Sequence, residues 1–261
     1  MKLFNPQALQ TQSFVVKALA RHNPGQHRGE ESDLLSPMFG QYVRPRFDPA
    51  EWQQHMERST RLKSAIEEIA TASVGLGVSG VPDPMELELL GDKSARNQRK
   101  KLLDAARDIT VFCQSPKRGS FLPLAWELQK AEVDFLSSGN GYLEVIEENY
   151  EAGGPIIGLS HIRAPYMRVN PTRTQWVQGV QYSLYGTGQS ASDLPVSAHS
   201  NFYRVFGDDD PSRRFINRKT GEFFSAWPSS LDESLKGTAV LHAASYNPLD
   251  PYYGMPVQVP A

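Results

Sequence analysis

The chain changes period part way along its length. Up to about residue 138 the apolar positions recur every three or four residues; after that they alternate every second residue. The first periodic stretch opens at Asp48-Pro49, a capping residue followed by the residue best tolerated in a first turn. It predicts one helix from there to about Ser73, with Leu62, Ala65, Ile66 and Ile69 on a single stripe. A breaker-rich stretch, Gly75–Pro84, follows, and a second helix is predicted over Ala95–Phe112 with Leu102, Leu103, Ala106 and Ile109 facing inward. The third helix has the clearest period: Phe121, Leu124, Leu128, Ala131 and Phe135 step by three and four. Gly139 and Gly141 end it, because glycine accepts the positive φ that a helix C-terminus commonly needs. Strands are then predicted at Tyr142–Glu147, Ile156–Arg163, Trp176–Tyr185, Phe202–Phe206, Phe223–Trp227 and Val240–Ala244, separated by Gly, Pro and Asp turns.

Helices first and antiparallel or mixed strands later make the expected fold class α+β. Residues 1–50 mix Pro, Gly and both charge signs without sustained period, apart from the apolar patch Phe14–Leu19. They are expected to form an extended N-terminal arm, with residues 51–261 as the folded body.

Composition narrows the possible roles. There are 27 basic and 29 acidic residues, a formal net charge of −2, so no bulk field draws the chain to nucleic acid or an anionic membrane. A single cysteine, Cys113, excludes an internal disulfide framework. The least charged run, Ile69–Val81, is too short to span a bilayer, and the N-terminus lacks the pattern of a signal peptide, so an intracellular setting is expected.

Several stretches invite chemical readings. Gly75–Gly80 matches G-x-G-x-x-G, but that fingerprint needs a strand before it and a helix after it; here a helix precedes and Val81-Pro82-Asp83-Pro84 follows, so a flexible turn is expected. Asp208-Asp209-Asp210 lacks the ligand spacing of a calcium loop, and Pro211 with Arg213-Arg214 points to a solvated turn. His161, His199 and His242 are widely spaced with no H-x-x-x-H or C-x-x-C partner, which disfavours zinc. Cys113 follows Val111 and Phe112 and reads as a buried, inert thiol. No G-x-S-x-G elbow supports a serine hydrolase. No catalytic, cofactor or metal residues are therefore assigned. The best contact candidates are Lys93, Arg96 and Lys100, three and four apart on one helix face and opposite Leu102, Ala106 and Ile109. Such a basic face can serve phosphate or a neighbouring subunit, and no interleaved aromatic residues suggest base stacking.

Three segments carry a resemblance: Gly139-Asn140-Gly141-Tyr142-Leu143-Glu144-Val145, Phe206-Gly207-Asp208 within Phe202–Asp208, and Tyr253-Gly254-Met255-Pro256 beyond the histidine-bearing strand Val240–Ala244. In this order and spacing the chain resembles the portal proteins of tailed bacteriophages over roughly Trp52–Ala261. That resemblance implies a non-enzymatic subunit of a head–tail connector ring, about twelve subunits round, at one vertex of the virion. Double-stranded DNA passes through such a ring without sequence-specific contact. The terminase large subunit, the major capsid protein and neck proteins are its other implied partners, with assembly in the host cytoplasm. The matching segments are architectural, and the chain would correspond to the N-terminal wing region, members continuing past Y-G-x-P into stem, clip and crown. Gly254 is expected to be a pivot whose backbone a side chain would strain, whereas Gly221 is expected in an exposed turn. Two other roles remain open: a different head–tail adaptor or structural virion protein, and a hydrolase using His242 or Asp208–Asp210.

Overall fold

In the computed structural model the described residues are 42–258, apart from 44, 76, 86–95, 118–121 and 180–199. The described residues belong to one compact unit. The helices are α1 (Pro49–Arg58), α2 (Thr60–Val74), α3 (Arg96–Gln114) and α4 (Leu124–Ser138). The strands are β1 (Asn140–Glu147), β2 (Ile156–Ile162), β3 (Met167–Val169), β4 (Gln175–Gly179), β5 (Ser200–Val205), β6 (Phe215–Ile216), β7 (Phe223–Phe224) and β8 (Ala239–Ala244). The fold is α+β, as the change of period implies.

The first expected helix is two. Ser59 has an extended backbone (φ −111°, ψ 97°), its N–H bonds the Met56 carbonyl to close α1, and its hydroxyl accepts from Leu62 N to open α2. A serine that can satisfy an orphan N–H competes with helix continuation at its own position. The break lets Met56 and Ile66 both be buried. The expected inward face of α3 is only partly correct. Ala106 is buried, but Leu103 and Ile109 are among the exposed large apolar residues. The expected strand at 176–185 is seen to Gly179, and residues 180–185 lie outside the described residues. The strand expected at 223–227 shrinks to Phe223–Phe224, because the Trp227 indole N–H turns to the Leu231 carbonyl and its ring packs on Phe215 and Phe224.

Six strands form one sheet in the order β2-β1-β8-β5-β4-β3, and β6 with β7 forms a separate hairpin. Only β5 and β8 run parallel; the other neighbours are antiparallel. Side chains alternate across the sheet. On one face Tyr142, Ile162, Val169, Trp176, Tyr203 and Val240 form the core with Met167 and Tyr253. On the other, α4 lies against β1 and β2. The third helix does place Leu124 and Ala131 inward, yet Glu127 and Asp134 are buried on the same helix.

Those two carboxylates close a sheet edge. Glu127 accepts from His161 N (2.6 Å), and Asp134 accepts from Ala164 N (2.9 Å) and bonds His161 Nε2 (2.8 Å) and Gln53 Nε2 (2.6 Å). Leu159 N donates to Pro116 O (2.8 Å). An open strand edge is a template for pairing, and here β2 spends its outward N–H groups on the helical side of the molecule. Burial opposes ionisation of Glu127, but the His161 N–H and Lys130 outweigh it and hold the carboxyl below its usual range. At the other edge Val43 bridges Val169, so this part of the expected arm is joined to the sheet. Residues 1–41 lie outside the described residues.

Candidate functional site

The segment after β8 returns to the start of β1, and the two meet at their backbones. α4 ends at Gly139, which is left-handed (φ 79°, ψ 1°) and donates to Phe135 O (2.8 Å). Its own carbonyl accepts from Ser245 N (2.9 Å). Gly254 N donates to Asn140 Oδ1 (2.7 Å), and Met255 N donates to Ser245 Oγ (2.8 Å), whose hydroxyl donates to Met255 O (2.5 Å). The approach leaves no room for side chains. A Cβ on Gly254 would lie 1.8 Å from Gly139 O, and one on Gly139 would lie 2.4 Å from the Met255 carbonyl carbon. The expected backbone strain at Gly254 is absent, since its φ is not left-handed; a side chain is excluded there by the close backbone crossing instead.

Asn140 ties three elements. Its Nδ2 donates to Ser138 O (2.9 Å), and its Oδ1 accepts from both Gly254 N and His242 Nε2, the latter at 3.0 Å. Two donors on Oδ1 fix the amide orientation and put a proton on His242 Nε2. The His242 ring stacks on Tyr142 (4.5 Å, 8°) and meets the Trp176 edge at 4.7 Å. Burial among these rings pushes the imidazole down to about 4. At neutral pH it is an uncharged aromatic group held by one hydrogen bond. Tyr253 completes the joint: its hydroxyl donates to Val43 O (2.7 Å) and accepts from Val169 N (2.9 Å).

Beside this clasp a cleft of about 440 Å³ is lined by Trp176, Phe206, His242, Tyr252, Tyr253 and Arg173, among others. Phe206 N bonds Val240 O (3.0 Å). Residues from all three segments singled out in the sequence, Gly139–Val145, Phe206–Asp208 and Tyr253–Pro256, therefore gather around β8.

The remaining candidates fall elsewhere. Lys93 and His199 lie outside the described residues. Arg96 opens α3 and Lys100 is exposed on it, so the basic face belongs to the helical layer and not to the clasp. Both Asp208 oxygens take hydrogen bonds from Arg213 (2.7 and 3.0 Å), which holds this carboxyl below its usual range, and Asp210 pairs with the same guanidinium at 2.9 Å. Two of the three carboxylates in the acidic run thus share one arginine within a turn, and Asp209 is exposed. His161 is tied to Asp134, and Cys113 is buried in α3. Gly75 and Gly77 have positive φ in a loop that fastens to α3 through Gly80 N and Thr110 Oγ1 (3.1 Å). A hydrolase built on His242 lacks a good proton acceptor, since a group with a pKa near 4 is a weak base at neutral pH.

Four structural residues escaped the sequence reading. Glu127 and Asp134 look like ordinary solvated positions in an amphipathic helix, and nothing local marks them as buried. Glu147 and Arg204 form an ion pair in the sheet, each almost fully buried, across Ala239, which is in register with both Arg204 and Val145. The one available signal is the alternation of β1: Glu147 shares the parity of Leu143 and Val145, although the register with β2 shifts between Ile146 and Glu147.

No family model matches the sequence, and no curated protein matches it. Solved structures do. A chain of the virion of a native gene transfer agent particle is 20% identical, with a TM-score of 0.31 over 73% of this chain and 43% of that one. A chain in the neck of the empty particle, computed with C6 symmetry, is 18% identical (TM-score 0.30, 71% and 43% coverage). A chain in the neck of the native particle, computed with C12 symmetry, is 18% identical (TM-score 0.30, 74% and 44% coverage). This chain spans less than half the length of each.

Proposed function

We propose that this chain is the wing-like portion of a portal subunit, a structural component of a head–tail ring through which double-stranded DNA passes. One observation carries the reading. The three segments by which the sequence resembles portal proteins are far apart in the chain, yet all gather around β8, and two of them, Gly139–Val145 and Tyr253–Pro256, cross in one joint. That joint is mechanical in character. It crosses two backbones at contact distance, satisfies their polar groups, and fixes the direction in which the chain leaves Pro256. A subunit whose downstream region must project at a defined angle into a ring needs such a support.

The charge distribution suits a passive conduit. Strong phosphate binding would hold DNA that has to slide, since each neutralised phosphate adds salt-dependent affinity. A chain of net charge −2 avoids this. Both outer strand edges are engaged within the body, at β2 by Glu127, Asp134 and Pro116 and at β3 by Val43. Contacts between subunits would then run through side chains and not through strand addition. The terminase large subunit, the major capsid protein and neck proteins are the proposed partners, and the virion is the proposed site. Among the described residues no helix is long and apolar enough to cross a membrane.

The test is direct. The protein that carries this chain, purified and imaged by negative stain, should show closed rings with a central channel. Only monomers or open filaments would overturn the portal reading; a closed ring lacking a downstream stem region would favour a different head–tail adaptor.

A further inference from the structure

We infer that the outward stripe of α3 seats a second copy of this chain, which presents the tip of its β1–β2 hairpin. The inference rests on the ring-subunit reading and names the surface it would use.

α3 is nineteen residues long, and of its described side chains only Ala106 and Cys113 are buried. Lys100, Leu103, Arg107 and Val111 step by three and four along its outward side, so basic and apolar residues alternate in one row. Leu103 is 47% and Val111 56% exposed. Val81, 76% exposed, stands beside this helix because Gly80 is bonded to Thr110. A solvated helix face places charge outward and keeps branched aliphatic residues in. Here both face out, which marks a protein contact surface. Duplex DNA would engage the lysine and arginines but give Leu103 and Val111 nothing to pack on.

Charge complementarity points to another copy. Basic residues are concentrated at 96–107, in a chain with more acid than base overall. The β1–β2 tip supplies the matching chemistry, with exposed Glu148 next to Tyr150, 39% exposed, and Ile157, 51% exposed. The tip is also held in an unusual shape. Asn149 and Tyr150 are both left-handed (φ 56° and 59°), a backbone that a tyrosine seldom adopts. Glu148 N bonds Pro155 O (2.8 Å), Gly153 N bonds Glu147 Oε1 (2.9 Å), and Glu151 pairs with Arg214. A rigid tip loses little freedom on docking. Stripe and tip are different surfaces, so the contact is head-to-tail and can propagate into a ring.

The test uses the whole chain in sedimentation velocity over rising concentration. Wild type should associate more strongly at low salt than at high. Lys100→Glu/Leu103→Glu, defective in the stripe, and Tyr150→Ala/Ile157→Ala, defective in the tip, should each weaken association at least tenfold with unchanged far-ultraviolet dichroism. Mixed together they retain one intact stripe and one intact tip, so they should form a one-to-one dimer and nothing larger. A wild-type chain that stays monomeric throughout, or a mixture that gives no dimer, overturns the inference; closed rings seen by negative stain would still uphold the ring reading. Loss of duplex DNA retention in Lys100→Glu/Leu103→Glu, with self-association intact, would also overturn it and assign the stripe to nucleic acid.

Discussion

The clasp around Gly254 and the helix α3 are opposites in how they are held. At the clasp, the Ser245 N–H bonds the Gly139 carbonyl, and the short side chains of Asn140 and Ser245 take up the Gly254 and Met255 backbone groups where the two chains cross. Along α3, most described side chains are exposed and the helix is anchored through Ala106, Cys113 and the Gly80–Thr110 bond. The first region is rich in glycine, proline and asparagine and reads as loop; the second has a helical period and reads as core-facing. Packing reverses that ranking. Rigidity here comes from backbone polar groups satisfied in a close crossing by one another and by Asn140 and Ser245, whereas a regular helix can stand largely outside the core.

The largest effect should come from filling the crossing. Gly254→Val would place its Cβ 1.8 Å from Gly139 O and 2.7 Å from Ser245 N, and neither backbone can yield alone. We expect a loss above roughly 4 kcal/mol, or failure to fold, by urea denaturation. Gly221→Val is a less lenient control than its expected exposed turn implied. Gly221 is half-buried at φ 74°, and a Cβ would approach Gln175 Nε2 at 2.6 Å and the Phe202 ring at 2.8 Å. Both are side chains that can shift, so its loss should be measurable yet smaller. If Gly254→Val loses less than Gly221→Val, the crossing is not the stiffest point of the body.

A second break targets the ion pair that neither sequence pattern nor motif revealed. Arg204→Met leaves Glu147 buried opposite an apolar group, and Arg204 Nε already has no hydrogen-bond partner among the described residues. Removing one partner of such a pair costs about 3–5 kcal/mol, while replacing both with apolar groups of similar volume is often close to neutral. Arg204→Met/Glu147→Met should therefore be more stable than Arg204→Met alone. Equal stability of the two variants would mean that water reaches Glu147.

How much the sequence disclosed follows from the range of the interactions involved. Helix and strand periods and the stop at Gly139 are set by residues near one another in the chain and were legible; the Tyr253–Pro256 turn was legible as a turn, but its crossing with Asn140, 114 residues away, was not. The turn at Asp208–Asp210 was legible too, because Arg213, which pairs with two of its carboxylates, is three to five residues away. The break at Ser59 was locally encoded by a capping serine, but the surrounding apolar stripe concealed it. What could not be read were pairings fixed by the sheet: Glu147 with Arg204, Asp134 with His161, and Asn140 with His242. Each joins residues far apart in the chain, and each polar member sits in a pattern equally suited to a solvated face.

Acid should sharpen the comparison further, because the clasp contains the neutral histidine. His242 takes up a proton near pH 6.5 in the unfolded chain but only near 4 in the folded one. The unfolded state therefore binds more protons between those values, so stability falls as pH drops through that window and is fully present above it. The effect should be on the order of 2–3 kcal/mol. His242→Phe keeps the stack on Tyr142 and removes the titration, so its stability should vary less from pH 6.5 to 4 than that of wild type. An unchanged slope would show that His242 is solvated enough to protonate normally.

The smallest effect belongs to α3. Leu103→Ser and Val111→Ser remove apolar surface that the isolated body leaves in water, so each should change urea stability by no more than about 0.5 kcal/mol. Ala106 is the internal control: it is buried on the same helix, and its carbonyl lies 2.5 Å from where a Cβ on Gly80 would sit. Ala106→Leu should overpack the buried side of the helix and cost about 1–3 kcal/mol. The contrast separates a helix that is held by one narrow line from a helix that is part of the core. Were Leu103→Ser to destabilise as much as Ala106→Leu, α3 would be packed in solution, its outward row would not be a free surface, and the head-to-tail contact proposed for it would have nowhere to form.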